Sequence, residues 1–269
     1  MTYRLSPDVR AEGHRLHVHD AIGSTNAEAL RLAGEGETGP LWIAARRQTA
    51  GRGRRGSAWH SADGNLAASL LWPSAGIAAE DVATLGFVAG LALADSLDDA
   101  CGVAPGSQTG AAVPTFRLKW PNDVLVDGAK LAGILLEAET RPGGRRAVAI
   151  GFGVNVAAAP DGLPYPATSL AGLGCGADAG TLFGFLTGRF VEAARMWNRG
   201  RGFAEIRRRW LARAAGVGTP VAVRAGPETL TGVFDGIDEG GRLVILAPDG
   251  TQRTVTAGEV HFGGAATAA

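Results

Sequence analysis

The stretch of this chain most suited to chemistry is GRGRRG at residues 51–56, in which three glycines are interleaved with three arginines. Glycines let a backbone approach a ligand closely and leave a loop free to move, and arginines offer paired, permanently charged donors to phosphate or carboxylate oxygens. The stretch therefore predicts an anion-binding loop that closes over its ligand. It also fits the dinucleotide fingerprint G-x-G-x-x-G, but no helix pattern follows Gly56, so that interpretation is weak. Taken alone, a solvated basic loop or one that touches RNA is the plainer alternative.

A second group of residues follows a predicted strand. Lys119 and Lys130 are the only lysines, and all other basic residues are arginine. Lys119 precedes Trp-Pro-Asn-Asp, and because Pro121 cannot continue a central strand, Lys119 is predicted to lie where the strand meets a cleft. Asn122 and Asp123 are then turn residues able to reach a ligand or a Mg²⁺. An ordinary turn beside a surface lysine is the alternative.

Hydrophobic periodicity predicts the elements that position these residues. Thr25 to Glu28 fits a capping box, so a helix is expected to open at Ser24 or Thr25. Gly133 interrupts a predicted strand, which marks close approach of a ligand or another backbone. Helices are also predicted at 78–97 and across 181–214, and strands at 14–22, 41–48, 65–73, 145–156 and, around an Asp127-Gly128 hairpin, within 116–139.

The pattern changes after residue 214, where short strands alternate with glycine-rich turns. We expect residues 215–269 to form a small SH3-like β-barrel. Residues 1–214 are expected to form a larger α+β domain, in which helices flank a mixed sheet.

Composition excludes several classes of function. Lys+Arg and Asp+Glu both number 26, and this zero net charge argues against a general nucleic-acid binder. Without an apolar leader or a membrane-spanning run, the chain is expected to be soluble and cytoplasmic, with no membrane partner. Cys101 and Cys175 are expected to be reduced thiols. His14, His17 and His19 are expected at the surface rather than in a metal site.

Five segments, in this order, together resemble the biotin–protein ligases: GSTNAEAL, QTAGRGRRGSAWHS, LKWPNDVLV, KLAGILLE and AIGFGVNV. The resemblance covers residues 20–156 most strongly and implies a class II synthetase-like catalytic domain followed by an SH3-like domain. It implies an ATP-dependent, AMP-forming ligase that makes biotinyl-5′-AMP and passes biotin to a lysine of a biotin carboxyl carrier domain. ATP, Mg²⁺ bound with ATP, and biotin would be its small molecules, and the protein would be a monomer or homodimer.

The resemblance also assigns roles by position. Biotin contact is implied for Ser24, Thr25, Asn26, Gln48, Gly51, Arg52, Gly53, Arg54, Lys119 and Gly133. ATP contact is implied for Arg52, Arg54, Arg55, Trp59, Lys119, Asn122 and Asn155. The catalytic group is Lys119 with Arg52 and Arg54, and no protein ligand is assigned to a metal.

Two departures from the family and two alternatives complete the prediction. Ser57 stands where an arginine is common in the family, which leaves one phosphate contact open. Only 23 residues precede Ser24, too few for a winged-helix domain, so repressor activity is not expected. A lipoate or octanoate ligase or transferase of the same fold stays open, and a non-catalytic RNA-binding module is the alternative from a different class.

Overall fold

The computed structural model describes residues 2–102, 114–141 and 146–262. Its larger sheet has seven strands in the spatial order β1-β2-β3-β7-β6-β5-β4. These strands are β1 Arg15–Ile22, β2 Leu41–Gln48, β3 Leu66–Trp72, β4 Arg117–Lys119, β5 Asp123–Val126, β6 Ala129–Thr140 and β7 Arg146–Val154. The pair β1–β2 is parallel and the other pairs are antiparallel. The mixed sheet predicted for an α+β domain is confirmed.

The second sheet has five antiparallel strands in the order β11-β10-β9-β8-β12. They are β8 Pro220–Ala225, β9 Glu228–Ile237, β10 Leu243–Leu246, β11 Gln252–Val255 and β12 Glu259–Phe262. This small antiparallel sheet confirms the predicted SH3-like module. Its buried side chains, Val221 and Phe234 among them, belong to the same apolar cluster as those of the larger part, and Trp120 Nε1 donates to Gly241 O at 3.2 Å. The smaller sheet is therefore packed against the segment that carries the Lys-Trp-Pro-Asn-Asp motif.

Five helices complete the described chain: α1 Pro7–Ala11, α2 Thr25–Gly34, α3 Ala79–Ala100, α4 Ala179–Trp197 and α5 Phe203–Arg213. Strand β2 shows why helices cover both faces of the larger sheet. Successive side chains alternate between faces, so Trp42 packs in the cluster with α3 and α4, whereas Leu41 and Ile43 pack in a second cluster with α2. All three side chains are fully buried.

Local turn chemistry agrees with the sequence at two sites. Asp127 and Gly128 both have left-handed φ angles, 49° and 81°, as a tight hairpin between β5 and β6 requires. Helix α2 begins at Thr25, but its N-cap is Ser24, whose hydroxyl accepts from Ala27 N. The capping box predicted from Thr25 is thus shifted by one residue, and the Thr25 hydroxyl is left for other partners.

Two expectations about single residues were wrong. Cys101, which ends α3, is joined to Cys175 by a disulfide across a Cα–Cα distance of 5.2 Å, because the segment before α4 returns to the end of α3. His14 is buried rather than at the surface. Its Nδ1 accepts a hydrogen bond from Trp42 Nε1 at 3.0 Å, and burial lowers the pKa of this histidine.

None of the helices in the described ranges combines the length and the apolar character needed to cross a bilayer.

Candidate active site

A cavity of about 510 Å³ opens where the N-terminus of α2, the arginine loop, strands β5 to β7 and the smaller sheet meet. Most of the residues assigned from the sequence line it: Ser24, Thr25, Asn26, Gln48, Arg52, Gly53, Arg54, Arg55, Trp59, Asn122 and Gly133. Residues from one end of the chain to the other are therefore gathered at a single site. Gly51, Lys119 and Asn155 do not line this cavity.

One part of the cavity is lined by uncharged polar side chains, which hydrogen-bond to one another and to groups behind the wall. Thr25 donates from its backbone N–H to Gln48 Oε1 at 2.8 Å, and its hydroxyl lies 3.0 Å from the same oxygen. Asn26 donates from Nδ2 to Leu135 O at 3.1 Å and to Glu137 at 2.8 Å. We refer to this part of the wall, Ser24 to Asn26 with Gln48, as the head-group end.

A buried serine that the sequence did not single out connects these groups. Ser69 lies in the middle of β3, is fully buried, and its Oγ is 2.7 Å from Thr25 Oγ1 and 2.6 Å from Asn26 Oδ1. Gly151 on the adjacent strand makes room, since a Cβ there would lie 2.5 Å from Asn26 Oδ1. A polar residue within the apolar run LAASLLW was the available signal.

The arginine loop, residues 51–59, forms another part of the cavity wall. A short turn at Arg54–Gly56 bends it, with Arg55 at a left-handed φ of 55°. Ser57 closes that turn, because its carbonyl accepts from Gly53 N at 2.7 Å and its hydroxyl donates to Arg54 O at 3.0 Å. Ser57 therefore has a structural role at the position where an arginine was expected.

Two arginines of the loop are held by partners from distant segments. Arg52 Nη2 lies 3.5 Å from a carboxylate oxygen of Glu137. Arg54 Nη1 donates to Gly258 O at 3.2 Å, in the smaller sheet's connecting turn, and lies 3.5 Å from Asn122 Oδ1. Burial, followed by the neighbouring charge of Arg55, lowers the pKa of Arg54.

Trp59, at the end of the loop, explains why glycine stands at two strand positions. Gly133 and Gly153 are register partners on β6 and β7. A Cβ on Gly153 would lie 2.4 Å from the Trp59 ring, and one on Gly133 would lie 3.3 Å from it. The close approach predicted at Gly133 is therefore the approach of an indole, which covers both glycines.

Lys130 faces the same side of the cavity. Its ammonium lies 2.8 Å from Asp123 Oδ1 and forms an ion pair with it. The geometry of this pair is not that of a hydrogen bond. It also lies 5.8 Å from the Trp59 ring centroid and 5.5 Å from that of Tyr165, distances at which a cation is attracted by the ring face. The sequence marked Lys130 only as a rare lysine.

Lys119 is placed differently from the expectation. It ends β4 and pairs in register with Asp123, which lines the cavity, but its ammonium lies 5.7 Å from the centroid of the Phe262 ring in the smaller sheet. Burial lowers the pKa of Lys119, and the charge of Asp123 partly opposes this shift. The Lys119 ammonium is thus next to the cavity and points toward the Phe262 ring.

The other two residues outside the cavity lie just behind its wall. Gly51 packs against the Trp59 carbonyl, 2.5 Å from where its Cβ would be. Asn155 borders a small adjoining pocket that it shares with Trp59, Lys130 and Tyr165. Its Nδ2 donates to Thr168 O, while its buried Oδ1 has no hydrogen-bond partner among the described residues.

The smaller sheet adds Arg224, Gly258 and Glu259 to the wall, none of which the sequence predicted. Arg224 Nη2 lies 3.0 Å from Glu259 Oε2. The described charged side chains on the wall are the cations Arg52, Arg54, Arg55, Lys130 and Arg224 and the anions Asp123 and Glu259. Cations outnumber anions, so the wall opposite the head-group end suits a polyanion.

Comparison with known proteins identifies relatives of this arrangement. Residues 22–155 match the biotin/lipoate A/B protein ligase family, and residues 216–263 match the biotin protein ligase C-terminal domain. A biotin--[acetyl-CoA-carboxylase] ligase of Paracoccus denitrificans is 44% identical over 90% of this chain and 98% of its own. One from Mycobacterium tuberculosis is 34% identical over 91% of this chain and 88% of its own.

A solved structure agrees with the fold. The biotin protein ligase of Aquifex aeolicus, in complex with biotin and ATP, superposes with a TM-score of 0.73 at 26% identity. The match covers 92% of this chain and 97% of the other.

Proposed function

The chain belongs to the biotin/lipoate A/B protein ligase family, and from that premise we propose that it is a biotin–[acetyl-CoA-carboxylase] ligase. It activates biotin with ATP to biotinyl-5′-AMP and then transfers the biotinyl group to a lysine of a carrier domain. One observation carries the proposal: a single cavity joins an uncharged, hydrogen-bonding end to a wall in which cations outnumber anions. A neutral ureido head group fits the first, and a carboxylate meeting a triphosphate fits the second.

In the first step a biotin carboxylate oxygen bonds to the α-phosphorus of ATP, and pyrophosphate leaves with the electron pair of the broken P–O bond. The approach brings anion to anion, and two unit charges at about 4 Å repel by about 4 kcal/mol at an effective dielectric near 20. Arg52 and Arg54 are proposed to supply positive charge where this repulsion arises. Contacts with Gly258 O and Asn122 hold Arg54 on the cavity wall.

Lys119 is proposed to supply the remaining charge. Its ammonium leaves Phe262 and turns into the cavity when a carboxylate and an α-phosphate are both present. A cation–ring contact at a partly exposed site contributes only about 0.5–1 kcal/mol, so two anionic oxygens outcompete it. A compact ammonium can lie between two oxygens of different groups, which a planar guanidinium fits less well.

The adenine is proposed to lie beside Trp59, in the small pocket next to Lys130. The Trp59 ring offers a flat apolar face, and the buried Asn155 Oδ1 has no donor among the described residues. An exocyclic amino group would satisfy that oxygen, and a buried unsatisfied acceptor costs about 1–3 kcal/mol. Lys130 would then face the phosphates or ribose rather than Asp123.

Magnesium is proposed to arrive with ATP. The described residues contain no group of three or more His, Cys, Asp or Glu side chains that could hold a metal by themselves. Mg²⁺ commonly uses one or two carboxylates in addition to substrate phosphates, and Asp123 on the cavity wall fits that role. When bound, the ion would neutralise part of the charge on the phosphates.

In the second step the acceptor's lysine amine attacks the carbonyl carbon of the mixed anhydride, an amide forms, and AMP leaves. The proposed acceptor is the biotin carboxyl carrier domain of a biotin-dependent carboxylase, in line with the names of the relatives. Until that amine arrives, water must be kept from the adenylate, and the arginine loop with its flexible glycines is the proposed cover.

The proposal is tested by biotin-dependent exchange of labelled pyrophosphate into ATP, with octanoate and lipoate as parallel acids. Exchange with biotin alone is the expected result. Exchange with a fatty acid instead would mean that the protein adenylates an acid, but that the acid is not biotin. No exchange with any acid, in folded protein supplied with Mg²⁺, would reject the proposal, and retention of RNA on a filter would then favour the binding-module alternative.

A further inference from the structure

The small adjoining pocket is built from two segments that are far apart in the chain. One is Ala58 to His60, at the end of the arginine loop. The other lies within residues 160–167, in the connection between β7 and α4, and contributes Pro160, Leu163, Tyr165 and Ala167. The shape of the pocket therefore depends on how these two segments are held relative to each other.

A buried asparagine at the start of β3, Asn65, connects the two segments. It is 1% exposed. Its Oδ1 accepts from three successive backbone N–H groups that follow β7, those of Val156 at 3.0 Å, Ala157 at 2.9 Å and Ala158 at 3.1 Å. Its Nδ2 donates to Ala158 O at 2.7 Å. The orientation of this amide is fixed, because its oxygen faces only donors and its nitrogen faces an acceptor.

The hydrogen bonding between these parts of the chain depends on this one side chain. Residues 51–65 and 155–167 are described throughout, and the four bonds of Asn65 are the only hydrogen bonds between them. The residue before it packs on the same segment: Gly64 has a left-handed φ of 88°, and a Cβ there would lie 2.7 Å from Ala157 Cβ. Asn65 is therefore the polar link between the two segments.

Loss of the Asn65 side chain would leave three backbone N–H groups without their acceptor. Buried N–H groups must be paired with protein or with water, so residues 156–158 would have to move to regain partners. Asn155 directly precedes them, and residues 160–167 directly follow. A shift here would therefore move one side of the small adjoining pocket away from Trp59.

We propose that Asn65 is a positioning residue for the nucleotide: by binding residues 156–158 it holds the two segments of the small adjoining pocket in the arrangement that receives the adenine. The inference rests on the proposed biotin ligase function, in which the adenine occupies this pocket. Asn65 lines neither the pocket nor the larger cavity. It acts through the segment that it binds, without touching the substrate.

The first test is Asn65→Ala, assayed by biotin-dependent pyrophosphate exchange. The KM for ATP is expected to rise at least about tenfold, as it would if only about a tenth of the molecules held the pocket assembled. At saturating ATP, kcat is expected to stay within about twofold, because bound nucleotide selects the assembled pocket. A residue that served only stability would behave differently, since unfolding of part of the sample lowers kcat and leaves KM unchanged.

A matched control and a local measurement make the test specific. Thr84→Val removes a side chain that is 3% exposed and that makes two hydrogen bonds in α3 and α4, to Asp81 O and from Trp197 Nε1. Its KM for ATP is expected to stay within about twofold of the unaltered protein, because the nucleotide pocket remains assembled. Amide hydrogen exchange at residues 156–158 is expected to accelerate in Asn65→Ala but not in Thr84→Val.

The outcomes separate this inference from the proposed function. An unchanged KM for ATP in folded Asn65→Ala would overturn the inference, and so would an equal rise of KM in Thr84→Val. No exchange in the unaltered protein would instead reject the ligase function itself. Should Asn65→Ala not fold, Gly64→Ala places a Cβ against Ala157 and pushes the same segments apart. That variant must also raise the KM for ATP, and an unchanged KM there would equally overturn the inference.

Discussion

The two ends of the cavity hold their polar groups in opposite ways. At the head-group end the side chains are buried and bonded to one another: Thr25 is 4% exposed, Asn26 3% and Ser69 0%. Toward the arginine loop, charged groups rest on partners that a ligand could replace: Arg54 on Gly258 O and Lys130 on Asp123. Arg52 rests on Glu137, the carboxylate that also accepts from Asn26, and so connects the two parts of the cavity.

In the proposed reaction, the two parts of the cavity would serve different steps. The head-group end is preorganised, so it can distinguish one substrate from another without moving. We propose that the cationic part exchanges partners when a polyanion enters; the exchange would cost little because partly exposed ion pairs contribute only about 0–1 kcal/mol. On this proposal, specificity and catalysis are divided between a rigid and an adaptable wall.

The largest effect expected at the cationic end comes from Lys119. Lys119→Ala is expected to lower biotin-dependent pyrophosphate exchange by about 10³-fold or more, because charge stabilisation of the transition state is lost, while the dissociation constant of biotin alone changes less than about tenfold. Pyrophosphate exchange and biotin titration measure the two effects. Lys119→Arg is expected to be poor as well, and wild-type exchange in that variant would remove the argument for a compact ammonium.

A substitution at Arg54 is expected to affect retention of the adenylate rather than its formation. Arg54→Gly breaks the link from the loop to Gly258 O, so labelled biotinyl-5′-AMP is expected to leave about 10 to 100 times faster. Its retention is measured by rapid gel filtration of the charged protein. Arg55→Gly, in the same loop but at an exposed side chain, is expected to have a smaller effect. Equal retention in Arg54→Gly and the unaltered protein would contradict the proposed cover.

A substitution at Lys130 tests whether the two ends of the cavity act independently. Lys130→Met keeps the stem but removes the charge between Trp59 and Tyr165, so the KM for ATP is expected to rise about tenfold, equivalent to about 1.4 kcal/mol. The dissociation constant of biotin is expected to stay within about twofold, as measured by calorimetry without ATP. An equal loss for both ligands would mean that the two ends are not independent.

The smallest expected effect is a change in pH dependence. Burial lowers the pKa of Lys119, and adenylation requires its charged form. The exchange rate should therefore fall as the pH rises, through a pKa below that of an ordinary lysine. Lys119→Arg should lack this alkaline limb, since a guanidinium stays protonated. A limb of unchanged position in Lys119→Arg would assign it to another group.

The parts of the site that depend on residues close together in the chain could be predicted from the sequence. The cap of α2, the Asp127-Gly128 hairpin and the stop at Pro121 depend on residues within a few positions of one another. The arginine loop was predicted to be an anion site from its own residue types, and it lies on the cavity wall. Lys119 was correctly placed at a strand end, but the direction of its ammonium was not predictable, because Phe262 belongs to the other sheet.

What the sequence alone determined is the set of chemical groups and the family to which they belong; what only the tertiary structure decided is which groups meet. The deciding contacts join positions far apart in the chain: Thr25 to Ser69 across 44 residues, Asn26 to Glu137 across 111, and Arg54 to Gly258 across 204. Such contacts depend on how sheets and helices pack as a whole, since each requires backbone segments to be brought together by burial elsewhere. The partners of a buried hydroxyl, or of an arginine, are therefore a property of the packed fold.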